Sequence, residues 1–248
     1  MKILVFGAGV LGCNLARNFF RAGKDVTLLA RGAWGESIPK NGLRIKDKFS
    51  PRMSVSRMSV TAELKAEDKY DVIFVVLRYT QLDAILDTLR TNPTKNIVFV
   101  GNDVRASALS ASLPEKNVMF AFASSAGHRE REYVASVDLK KLKGNTAYLS
   151  RLIDANIEGY RAIKNAGHEI LPKDDAEFEG AAYRKTCLRF FKLMSATSLG
   201  KICASDHAMN AVDEMSALNR DLKAFFDENG AKYPVWQELE QEVAKYLK

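Results

Sequence analysis

Apolar positions along the chain change texture once, near residue 172. Before that point, short unbroken aliphatic runs alternate with stretches of helical spacing; after it, almost every apolar residue recurs at three- or four-residue intervals. The first run, Ile3 to Phe6, leads into Gly7-Ala-Gly-Val-Leu-Gly12, and Leu15, Phe19 and Phe20 then mark a helix from Asn14 to Ala22 that Gly23 ends. A second buried strand, Asp25 to Ala30, completes a βαβ unit, so the pairing is parallel. Asp71 to Leu77, Asn96 to Val100 and Asn117 to Phe122 read as further strands, separated by helices over Thr80 to Leu89 and Val104 to Leu113. Residues 32–69 are irregular, with short strand candidates at Leu43 to Ile45 and Met58 to Thr61. Tyr133 to Val137, Thr146 to Leu149 and Glu169 to Leu171 are also expected to be strands, and Leu152 to Asn165 a helix.

Strands alternating with helices predict an α/β fold, a doubly wound parallel sheet with right-handed crossovers. Three helical segments follow, Asp174 to about Leu199, Met209 to Glu228 and Pro234 to Leu247. The expected division is therefore a sheet domain over residues 1–172 and a smaller all-helical domain over residues 173–248.

Composition narrows the function classes. The 248 residues carry 37 Lys and Arg against 30 Asp and Glu, a net charge of +7 that favours anionic partners. No basic stripe with interleaved aromatics accompanies that charge, so nucleic acid is not an expected partner. No apolar run approaches the roughly 18 residues of a membrane helix, and Lys2 leads straight into a strand, so a cytoplasmic protein without membrane association is expected. Cys13, Cys187 and Cys203 are too scattered for a disulfide framework, and His128, His168 and His207 stand apart from one another; no metal is expected. So small a helical domain leaves apolar surface that a homodimer would cover.

The chemistry begins in the first turn. A GxGxxG element that follows a buried strand and opens a helix is the setting in which it binds a dinucleotide. Gly7 allows the tight turn, Gly9 lets the backbone approach a pyrophosphate, and Gly12 lets helix and strand pack closely; Ala8, Val10 and Leu11 complete the loop at the helix's positive end. The second strand ends in Ala30-Arg31, a cation where NAD-selective sites carry an acid, which favours NADPH over NADH. Arg78, Asn102 and the Ser124 to Gly127 segment, with Gly127 a cofactor contact, stand at carboxyl ends of predicted strands, where open α/β sheets bind ligands. In the helical part, Lys185, Arg189 and Lys192 fall at i, i+4 and i+7 on one face.

This ordered set resembles the ketopantoate reductase (2-dehydropantoate 2-reductase) family: GAGVLG at Gly7 to Gly12, LLARG at Leu28 to Gly32, VVLRYTQL at Val75 to Leu82, VFVGN at Val98 to Asn102 and YRKTC at Tyr183 to Cys187. The resemblance implies a Rossmann domain followed by a helical domain, with the site in the cleft between them. It also implies reduction of a small 2-oxo acid to a 2-hydroxy acid with NADPH, the step of pantothenate biosynthesis on the route to coenzyme A. By position, Lys185 corresponds to the family's catalytic lysine, in a cleft among Arg184 and Arg189 that would ease proton release. Asn102 corresponds to the asparagine that touches nicotinamide and substrate, Arg31 to the 2′-phosphate contact and Arg78 to a cofactor-contacting lysine. The chain departs from the pattern at Arg189 and Leu193, where the family carries substrate-holding asparagines. Arg189 can clamp a carboxylate bidentately, whereas Leu193 offers no hydrogen bond. The helix that closes the family site has no counterpart before Lys248, so a C-terminally shortened member is expected. A second reading stays open on those departures, an NADPH-binding regulatory module of the same fold without turnover.

Overall fold

The computed structural model describes residues 1–47, 52–122, 144–197 and 211–244, which fall into two compact units, Met1–Arg131 and Glu132–Lys248. Helix Thr146–Asn165 and the segment through residue 172, grouped with the sheet in the sequence reading, lie in the second unit.

In the first unit six parallel strands form one sheet: β1 (Lys2–Phe6), β2 (Asp25–Leu29), β5 (Ser59–Thr61), β6 (Val72–Val75), β7 (Asn96–Val100) and β8 (Asn117–Ala121), in the order β5-β2-β1-β6-β7-β8. β3 (Leu43–Lys46) and β4 (Met53–Ser56) make a separate antiparallel pair. Because strand side chains alternate between faces, Leu4, Phe6, Ile73, Val75, Ile97 and Phe99 build one core, against Leu89 of α3 (Leu86–Thr91) and Leu109 of α4 (Ala106–Ser112). Ile3, Val5, Val26 and Leu28 build the other, against Cys13 and Ala16 of α1 (Val10–Arg21) and Ile38 of α2 (Gly32–Asn41). A sheet buried on both faces is what continuous aliphatic runs require.

The structure corrects several expectations. Residues 32–41, read as irregular, form α2 despite Gly32, Gly35 and Pro39: docking of Ile38 and Leu43 on the sheet overrides weak helix propensity. Thr80 to Leu89 is two 3-10 turns, Tyr79–Gln81 and Asp83–Ile85, followed by the short α3. Thr146 to Leu149 is not a strand but the first turn of α5 (Thr146–Asn165): the Asn145 side chain accepts the Tyr148 amide, and Leu149 lies one turn from Ile153, both buried. Glu169 to Leu171 forms no strand, and the long segment from Asp174 is broken into a 3-10 turn (Lys173–Glu177) and α6 (Ala181–Ala196). Tyr133 to Val137 lies outside the described residues.

In the second unit α5 packs on α6 around Ile153, Ile157, Ile170 and Phe178, and on α8 (Pro234–Ala244); α7 (Val212–Glu228) contributes Phe226 to a cluster with Ala162 and Tyr233. Glu158 of α5 is the buried joint, 6% exposed, its two carboxylate oxygens accepting the Val235 and Trp236 amides at 3.0 and 2.9 Å. A carboxylate there satisfies orphan donors at the start of α8 and complements its dipole. Glu158→Ala is expected to destabilise this unit by about 1–3 kcal/mol, because two part-buried amides lose a charged acceptor. Denaturant unfolding followed by Trp236 fluorescence in a Trp34→Phe background checks this, and a wild-type midpoint would contradict it.

Candidate functional site

Parallel strands bring the sequence candidates of the first unit to one edge. Arg31 follows β2, the glycine turn follows β1, Arg78 follows β6 and Asn102 follows β7, and these four strands are adjacent in the sheet. At about 4.8 Å per strand the row spans roughly 14 Å.

The turn is shaped by what its glycines exclude. Gly7 is buried with φ +119°, and a Cβ on it would collide with the Val76 carbonyl; a Cβ on Gly12 would collide with the Gly7 carbonyl and touch Val76. Gly9, the N-cap of α1, is open: among the described residues nothing lies within 4 Å of where its Cβ would stand. α1 has no side-chain cap and no acidic residue in its first turn. Its leading amides therefore have no side-chain acceptor and have the helix dipole behind them, a cradle that fits a pyrophosphate.

Arg31 is the N-cap of α2, is exposed, and donates from Nε to the Ala62 carbonyl at 3.1 Å, which leaves its two terminal nitrogens for an anion. Gly35, overlooked in the sequence, seats α2 here, since a Cβ on it would collide with the Ala30 carbonyl. A glycine three residues after Gly32 in a helix is the signal that could have found it.

Arg78 is exposed, and its amide donates to the Gln81 side chain at 3.1 Å. Asn102 is half-buried and, with Val75, Leu77, Leu82, Phe99 and Phe120, lines a shallow depression at the carboxyl ends of β6, β7 and β8. Gly127 lies outside the described residues, as do Cys203, His128 and His207. Among the described residues no group of three or more His, Cys, Asp or Glu could hold a metal, and no helix is long and apolar enough to cross a membrane.

In the second unit α6 turns Tyr183, Cys187, Leu188 and Phe191 inward and leaves Lys185 and Arg189 exposed on its outer face. Arg184, expected with Arg189 in a cleft around Lys185, forms a bidentate pair with Asp154 of α5, with Nη2 to Oδ2 at 3.0 Å, and holds that carboxyl below its ordinary range chiefly through these hydrogen bonds. Tyr183 donates to Asn156 at 3.1 Å, and burial pushes its phenol well up. Both neighbours preceding Lys185 are thus fastened to α5, which fixes the helix that presents it. The Asp154–Arg184 pair spans 30 residues, and no sequence spacing points to it.

Comparison with known proteins gives one family model and several relatives. The model described as "Ketopantoate reductase PanE/ApbA" matches residues 3–144. A curated 2-dehydropantoate 2-reductase of Mesorhizobium japonicum is 37% identical over 90 residues, 36% of this chain but only 27% of that protein's length. A solved structure from Bacillus subtilis, described as "Probable 2-dehydropantoate 2-reductase panE", is 14% identical with a TM-score of 0.68 and covers 100% of both chains. D-mandelate dehydrogenase solved with NADH and anilino(oxo)acetate is 13% identical with a TM-score of 0.65, covering 99% of this chain and 97% of its own. At these identities the solved structures speak for the fold.

Proposed function

The chain belongs to the ketopantoate reductase PanE/ApbA family of oxidoreductases, whose model spans more than half of it, and from that premise we propose that it uses NADPH to reduce a small 2-oxo acid of the 2-dehydropantoate kind to a 2-hydroxy acid in the cytoplasm. The row of Arg31, Gly7 to Gly12, Arg78 and Asn102 along one sheet edge carries the proposal. It combines an open amide cradle with a cation at the end of β2, the two features that a 2′-phosphorylated dinucleotide needs.

NADPH, when bound, supplies the hydride. The α1 amides bind the pyrophosphate, Arg31 pairs with the 2′-phosphate through its terminal nitrogens, and Arg78 adds a fixed positive charge that cannot act as an acid near neutral pH. Asn102 donates its amide to the substrate without repelling a cation. Lys185 donates a proton to the ketone oxygen as negative charge develops there, and regains one from water after the alcohol leaves. Arg189 holds the carboxylate by a two-pronged contact.

Arg31→Ala is expected to weaken NADPH binding by about 10- to 100-fold, the value of one charge-assisted contact, and to leave NADH affinity unchanged. Titration of wild type and variant with both cofactors checks it. Equal wild-type affinities for NADH and NADPH would overturn the NADPH assignment.

A further inference from the structure

Asn102 and Arg78 sit on separate loops, one after β7 and one after β6, and one side chain outside the row joins them. Arg105, the N-cap of α4, reaches back to the β6 loop, where its Nη1 lies 3.2 and 3.0 Å from the two carboxylate oxygens of Asp83. Its Nη2 donates to the Tyr79 carbonyl at 3.4 Å, and its guanidinium lies 4.3 Å from the centre of the Tyr79 ring. Tyr79 is 3% exposed and so a firm seat. On its own loop the Arg105 amide donates to Asp103 at 2.6 Å, while Gly101 donates to Ala121 of β8 at 3.1 Å. The Asn102 turn is therefore fastened on both sides, to β8 before it and, through Arg105, to the loop that carries Arg78.

We infer that Arg105 and Asp83 form a latch that sets the spacing of Asn102 and Arg78 at the cofactor edge; they are positioning residues for NADPH binding, and the inference rests on the function proposed above. A planar fork that meets a carboxylate with one nitrogen, a carbonyl with the other and an aromatic ring with its face has a single seat, which a lysine cannot reproduce. A mere brace for stability would not need that geometry at a pair whose carboxylate side chain is 66% exposed, where ion pairs contribute little to folding.

The latch separates binding from stability. In Asp83→Asn and Arg105→Lys, the NADPH dissociation constant is expected to rise about three- to tenfold, with the thermal midpoint within about 2 °C of wild type. Asp83→Glu, which keeps the charge, is expected to recover most of the affinity. NADPH binding is read by nicotinamide fluorescence, so no turnover is needed. Wild-type affinity in Asp83→Asn and Arg105→Lys, or a loss of affinity that only tracks a falling midpoint, would overturn the latch while leaving the cofactor assignment standing. A wild-type protein that binds no NADPH would overturn both.

Discussion

Replacing Lys185 with alanine is expected to lower kcat for 2-oxo acid reduction by about 10²- to 10⁴-fold, the usual contribution of a positioned general acid, while NADPH binds as in wild type. In the proposed reaction hydride arrival would turn the carbonyl oxygen into an alkoxide, which Lys185 would protonate. Lys185→Arg is expected to retain part of the electrostatic stabilisation and to lose the proton transfer, since a guanidinium does not release a proton near neutral pH. Steady-state kinetics with NADPH binding measured in parallel distinguishes loss of chemistry from loss of cofactor. Unchanged turnover in Lys185→Ala would remove the lysine from the mechanism. The surroundings of α6 bear on the reading of such a variant. Arg184 is fastened to Asp154 and Tyr183 to Asn156, so truncating an exposed Lys185 leaves the α5–α6 packing intact.

The second large effect concerns the glycine turn, where neighbouring positions should fail in opposite ways. Gly12→Ala places a methyl against the Gly7 carbonyl and Val76, with no flexible atom to yield. Overpacking of that kind costs about 1–3 kcal/mol and should lower the thermal midpoint by roughly 3–10 °C. Gly9→Ala meets nothing within 4 Å among the described residues. Its thermal midpoint should match wild type, yet the added methyl occupies the space through which a pyrophosphate approaches the α1 amides, weakening NADPH about 10- to 100-fold. Calorimetry and cofactor titration of the two variants check the pair. A stable Gly12→Ala, or a Gly9→Ala that binds NADPH like wild type, would show that the turn is not built as described.

These two sites also show what the sequence makes legible. The β1–α1–β2 unit could be read because each of its signals is local: an aliphatic run for a strand buried on both faces, a glycine turn, then helical spacing. That Arg31, Arg78 and Asn102 stand at carboxyl ends of parallel strands follows from the same alternation, but the strand order that makes them one row is seen only in the structure. Where a tertiary contact outweighs local preference the sequence misleads. Residues 32–41 are poor helix formers held as α2 by the sheet beneath Ile38, and Thr146 to Leu149 reads as a strand until Asn145 is seen to cap the helix that includes it. The supports of the site were not legible at all. Arg105 reaches Asp83 across 22 residues and Arg184 reaches Asp154 across 30, and such pairs leave no periodicity. Lys185 is singled out only by resemblance, since an exposed lysine on an amphipathic helix is ordinary by every local measure.

Whether the protein turns over as a reductase is read most directly by following NADPH absorbance with wild-type protein over a panel of 2-oxo acids that includes 2-dehydropantoate, with the product identified by mass. NADPH is expected to be consumed in step with formation of one 2-hydroxy acid. Tight NADPH binding with no consumption across the whole panel would contradict it and would make the protein a cofactor-binding module.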